Sequence, residues 1–185
     1  MRMETFFEIC AKTGMKPALS VHPRPSAAEF GEIRAMAQRY GVLGDLTLKG
    51  SVDAIPNAMW PVFGSDIYAY VIDVSSGYQT AATVNSAITA LNGMTGCTAK
   101  RVIELFESTA YLAYFNSDTS KRHEPFEAIA AAGYTCSIAA QLGEYSPTTS
   151  GSSVIIPASD MEWWCNNHGV TEFTTEYNYS VGLNW

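Results

Sequence analysis

Gly14-Met15-Lys16-Pro17-Ala18-Leu19-Ser20-Val21-His22-Pro23-Arg24-Pro25-Ser26 is the stretch that decides the fold. Ahead of it, Thr5 to Thr13 sets Phe6, Phe7, Ile9 and Cys10 at helical spacing, and Gly14 stops that helix. Ala18 to His22 has the length and apolar character of a strand, and Pro23 and Pro25 end it. Ser26-Ala27-Ala28-Glu29 then forms a capping box, opening a helix with Phe30, Ile33, Met36, Ala37 and Tyr40 on one face. Helix, glycine, strand, proline, helix is the rhythm of a parallel α/β protein.

The rhythm continues along the chain. Gly41 and Gly44 end the helix, and Leu46 to Lys49 forms a short strand before Gly50. A small helical piece around Asp53 to Trp60 precedes a strand from Ile67 to Val74, apolar on both faces as a sheet covered on both sides requires. Thr80 to Leu91 and Ala99 to Phe106 read as helices, and Ala110 to Phe115 as a strand. Pro125 to Ala132 is a helix closed by Gly133, and Tyr134 to Ala140 the next strand. Leu142 to Gly151 is a polar loop, readable as a lid or as a plain surface excursion. Met161 to Asn167 is the last helix and Val170 to Thr175 the last strand. Strands alternating with helices predict βαβ connectivity in a barrel or an open sheet, in a single domain spanning 1–185 with no interdomain linker.

Composition narrows the function classes. The chain is 47% hydrophobic and 16% charged, which is enough apolar material for a sizeable core. A net charge of -7 with 11 Lys and Arg argues against nucleic acid, whose affinity comes largely from cations neutralising phosphates. Apolar runs such as Ala128 to Ala132 are far shorter than the ~20 residues of a membrane span. The N-terminal residues lack the order of a secretory signal, and the compartment stays open. Cys10, Cys97, Cys136 and Cys165 are widely separated, without zinc spacing. Cys10, Cys136 and Cys165 lie in apolar surroundings and read as small buried hydrophobes. There is no GxGxxG after a strand, no P-loop, no GxSxG elbow and no HExxH.

Three phrases stand out. The first is Thr5-Phe6-Phe7-Glu8-Ile9-Cys10 with Lys12-Thr13-Gly14-Met15-Lys16-Pro17, continuing through Tyr40-Gly41-Val42-Leu43. The second is Ala128-Ile129-Ala130-Ala131-Ala132-Gly133-Tyr134, and the third is His168-Gly169-Val170-Thr171-Glu172-Phe173-Thr174-Thr175-Glu176. Together they resemble the C-terminal half of the glycerophosphodiester phosphodiesterase family. The resemblance implies an α/β fold of the parallel (β/α)8 TIM-barrel type, entered at the fourth strand and so incomplete at the N-terminus. It implies a metal-dependent phosphoric diester hydrolase acting on glycerophosphodiester-type substrates, in lipid or teichoic-type polymer metabolism, with Mg²⁺ or Ca²⁺ as cofactor. The family's opening motifs, His-Arg, Glu and Asp on a strand, and His-Asp, are not in this sequence. If an in-frame extension upstream of Met1 supplies them, the enzyme reading gains most. If Met1 is the true start, the sheet is atypical or is completed by a homo-oligomer.

Inside the matched region, Ser20 and His22 stand where the family carries Glu and Lys for metal and phosphate. Ile138-Ala139 or Ala139-Ala140 stands in place of its Trp-Thr. These departures sustain an alternative, a non-catalytic carbohydrate- or polymer-binding or structural module on the same scaffold.

In β/α barrels, reacting groups sit at the C-terminal ends of strands, which here carry Ser20, His22, Lys49, Asp73, Asn116, Asp118, Gln141 and Glu176. His22 is the catalytic candidate, as a general acid or base or a phosphate ligand, though Pro23 could equally turn it outward. Lys49 offers an ammonium to an anionic group, or is an ordinary solvated lysine. Asp73 faces a mouth or caps its own loop. Gln141 and Glu176 complete the substrate-binding set, and no residue is assigned as a metal ligand. His123, Glu124 and His168 read as complements to helix dipoles. Tyr177 to Ser180 and Leu183 to Trp185 could cover a barrel base, pack on a neighbouring chain or stack sugars.

Overall fold

A computed structural model of the chain describes residues 2–21, 25–74, 81–106, 124–141 and 172–176. They fall into two compact units, one holding residues up to Asp73 together with Thr89–Val102, the other holding Val74–Ile88 and residues from Ile103 onward.

In the first unit, helix α1 spans Met3–Thr13 and buries Phe7 and Cys10. It ends at Gly14, whose φ of 70° is left-handed and strained for any side chain with a Cβ. Strand β1, Ala18–Ser20, follows. Helix α2, Ala27–Arg39, opens on the predicted capping box. The Ser26 Oγ accepts from the Glu29 N–H at 3.3 Å, and the Ser26 N–H donates to Glu29 Oε2 at 2.6 Å. Strand β2, Thr47–Gly50, leads into a widened turn at Ile55–Met59 and then helix α3, Trp60–Phe63. Strand β3 is Ala69–Val74.

β1, β2 and β3 pair in parallel, with Ala18 beside Thr47 and Thr47 beside Ala69. Thr47 N–H donates to Pro17 O at 2.8 Å and Tyr68 N–H to Leu46 O at 3.0 Å, extending both ladders backward. One face of this sheet packs on the helices. Phe30 of α2 meets Phe63 of α3 edge-on with ring centroids 6.1 Å apart, and Trp60 meets Tyr70 of β3 in the same way at 6.0 Å. The Tyr70 hydroxyl donates to Gly64 O at 2.7 Å, so its one polar atom is satisfied in the core.

Helix α4, Ala81–Asn92, buries Val84, Ala87 and Leu91, the three- and four-residue spacing of one helical face. Strand β4 is Lys100–Phe106, and Lys100 N–H donates to Tyr68 O at 3.0 Å. This corrects the helix expected over Ala99–Phe106. The run is strand-length, carries the β-branched pair Val102-Ile103, and buries Val102, Ile103 and Glu104 in succession. A surface helix would have exposed one of three consecutive residues.

In the second unit, helix α5, Glu124–Ala131, is followed by Gly133 at φ 76°. Strand β5, Thr135–Gln141, pairs in parallel with β6, Glu172–Glu176, from Ser137 beside Glu172 to Gln141 beside Glu176. Helix–glycine–strand and the closing strand thus form as expected. The strand read at Ala110–Phe115, the loop at Leu142–Gly151 and the helix at Met161–Asn167 lie outside the described residues.

The protein is therefore α/β with parallel strand pairing. Among the described residues β1 pairs with β2 alone, so the described strands do not close into a ring. No described helix is long and apolar enough to cross a membrane. Of the cysteines, Cys10 and Cys136 are buried as expected, Cys97 is half-buried, all three are free thiols, and Cys165 lies outside the described residues.

Candidate functional site

Register decides which strand residues share a face. Ser20 pairs with Lys49, and Lys49 with Val71. In parallel strands, partners project to the same side, and the side repeats every second residue. Asp73, two residues past Val71, therefore shares a face with Lys49 and Ser20. That face carries Ala18, Thr47 and Ala69 lower down, buried Val71 beside Lys49, and Ser20, Lys49 and Asp73 at its C-terminal edge. The opposite face carries Leu48, Gly50, Tyr70 and Ile72, all buried, and it is this face that takes the helices.

From strand spacing, the Ser20 and Lys49 Cα atoms are about 5 Å apart, and those of Lys49 and Asp73 about 8 Å. The edge is held by backbone bonding, since Val21 N–H donates to Lys49 O at 3.2 Å. Just past β2, the Ser51 Oγ accepts from Ala54 N–H at 3.2 Å and turns the chain into the widened turn. Ser20 is exposed, and Lys49 and Asp73 are half-buried. Asp73 Oδ1 is itself shielded from solvent and has no hydrogen-bond partner among the described residues. A shielded acceptor left unmet costs about 1–3 kcal/mol, which favours a donor arriving from elsewhere.

The expected site residues are thus partly brought together. Lys49 and Asp73 share one edge with Ser20, and in the other unit Gln141 and Glu176 are register partners at the last positions of β5 and β6. His22, Asn116, Asp118, His123 and His168 lie outside the described residues. Sequence reasoning missed Glu104, a buried acid on β4. Its signal was present as one charge inside Val102-Ile103-Glu104-Leu105-Phe106, hidden by reading that run as a helix.

Among the described residues no three His, Cys, Asp or Glu gather as metal donors. Ser20, Lys49 and Asp73 supply a single carboxylate beside an ammonium, whereas Mg²⁺ and Ca²⁺ take several oxygen ligands and are repelled by a neighbouring cation. These described residues do not fit a divalent metal. On the helix-covered face, burial pushes the Tyr70 hydroxyl far above its ordinary range, with Cys97 and Asp66 adding to the effect against Arg34. It stays a neutral donor and a structural group.

Comparison of the chain with family models, with curated proteins and with solved structures finds no match.

Proposed function

We propose that the chain recognises a phosphodiester, with its ligand at the C-terminal edge of β1, β2 and β3, on a scaffold of the (β/α)8 TIM-barrel type like that of the glycerophosphodiester phosphodiesterases it resembles. The supporting observation is that Ser20, Lys49 and Asp73 lie on one face at one end of three adjacent parallel strands. Each group has a task suited to such a ligand. The Lys49 ammonium matches a phosphoryl charge, the Ser20 hydroxyl can donate to a phosphoryl oxygen, and Asp73 Oδ1 can accept from a ligand hydroxyl.

His22 extends this proposal to hydrolysis, since an imidazole can take and return a proton near neutral pH. Gln141 and Glu176 are proposed as further substrate contacts, on small-molecule or teichoic-type polymer phosphodiesters. The divalent cation is carried by the resemblance alone, so the assay runs with and without it. Glycerophosphodiesters are incubated with the protein in Mg²⁺, in Ca²⁺ and in chelator. Release of the alcohol that falls with His22→Ala supports hydrolysis, and no turnover under either metal overturns it.

A second reading, a non-catalytic binding module, is favoured by the exposed Ser20, which stands where the resembled family carries an acid. Saturable binding of a glycerophosphodiester or a teichoic-type polymer without turnover supports it. Absence of both binding and turnover overturns both readings.

A further inference from the structure

Helical bonding changes pitch once beside this edge. Ile55 N–H donates to Ser51 O at 3.2 Å, Asn57 N–H to Asp53 O at 3.4 Å, and Gly64 N–H to Trp60 O at 3.0 Å, all four residues back. Between them, Trp60 N–H donates five residues back, to Ile55 O, so Ile55–Met59 is a π-type turn. The sequence supplies a cause. Pro61 has no N–H to give to the Asn57 carbonyl four residues earlier, and its ring crowds that carbonyl. Widening the turn relieves the crowding.

The wide turn meets the strand edge at Gly50. A Cβ built on Gly50 would lie 2.9 Å from Met59 Cε, 3.5 Å from the Ala54 Cβ and 3.6 Å from Ile55 Cδ1. Met59 and Ile55 are fully buried, so Met59 has no solvent to retreat into. Gly50 directly follows Lys49, whose carbonyl holds Val21. Pro61 is itself exposed, so replacing it removes no core atom.

We infer that the wide turn imposed by Pro61 is a positioning device, seating Met59 on Gly50 and thereby fixing the Lys49 end of β2; its consequence for ligand binding rests on the strand edge being the ligand site.

Hydrogen exchange on Pro61→Ala tests the device without a ligand. Restoring the N–H lets the turn close at α pitch, and the Val21 amide is expected to exchange about tenfold faster, a local opening near the edge. The Thr47 amide, bonded to Pro17 O at the other end of the same strand pair, is expected to keep its protection. Unchanged Val21 exchange, or equal acceleration of both amides, overturns the inference. Met59→Ala and Met59→Leu give the same decision should Pro61→Ala fail to fold. The alanine is expected to release Val21 and the leucine to hold it, and identical exchange in the two overturns the inference. Titration with glycerol 3-phosphate is expected to show weaker binding by Pro61→Ala than by the wild type. A wild type that binds neither it nor a glycerophosphodiester overturns the proposed ligand site, while the exchange result still decides the device.

Discussion

The two faces of the sheet formed by β1, β2 and β3 are built to different rules. Leu48, Gly50, Tyr70 and Ile72 are buried under helices, and Gly50 is so closely covered that a methyl group there would press on Met59. One residue away along each strand, the other face is exposed at Ala18 and Ser20, buried at Ala69 and Val71 of β3, and ends in Ser20, Lys49 and Asp73. Because strand side chains alternate, neighbouring residues answer to different demands: Leu48 to packing under the helices, Lys49 to the half-buried strand edge. Packing and the proposed ligand edge are thereby separable by single substitutions.

The largest expected effect lies on the helix side. Leu48→Ala removes a fully buried side chain and is expected to lower stability by about 2–5 kcal/mol in chemical denaturation. Lys49→Ala, its neighbour, is expected to cost under about 1 kcal/mol in the same experiment. Its effect falls on binding instead, with roughly tenfold weaker affinity for glycerol 3-phosphate by calorimetry, the scale of one charge-assisted contact. Equal stability losses for the pair would erase the distinction between the faces. Asp73→Asn keeps the shape and removes the charge, and it is expected to weaken binding by roughly fivefold, about one hydrogen bond, with little change in melting temperature.

Away from both faces the effects are smaller. Ser26→Ala breaks the capping box of α2 and is expected to cost about 1 kcal/mol. Hydrogen bonds from the backbone N–H and side chain of Ser26 hold the Glu29 carboxyl below its ordinary range. A depressed folded-state value gives stability that is present above the unfolded value and lost as pH falls through the folded one. The wild type should therefore lose this increment on acidification, and Ser26→Ala should show a flatter acid limb. Parallel acid limbs for the two proteins would show that the Ser26 hydroxyl adds nothing to that dependence beyond the backbone N–H, which the alanine variant keeps on Glu29.

Much of the first unit was legible because its signals are local. Ser26 with Glu29 caps a helix, Gly14 ends one, and proline follows β1, as Gly133 ends a helix in the second unit. β3 could be read as buried on both faces from its unbroken apolar run. β4 was misread because Ala99 to Phe106 also contains good helix formers, Lys, Arg, Glu and Leu, and only its burial through three successive residues separates the two states. The widened turn was legible only as a small helical piece, since its pitch depends on Pro61 acting on a carbonyl four residues earlier. Lys49 and Asp73 could be named as strand-end residues, but their common face depends on register, which no local pattern in short strands fixes.

The most direct test of the strand edge is a titration of the isotopically labelled protein with a glycerophosphodiester in chelator, followed by NMR at residue resolution. The expected result is saturable shifts largest at Ser20, Lys49 and Asp73, lost in Lys49→Ala, with the Trp60 indole and Phe30 on the helix side unmoved. Saturable shifts centred on the helix side, or none at the three edge residues, would contradict the account.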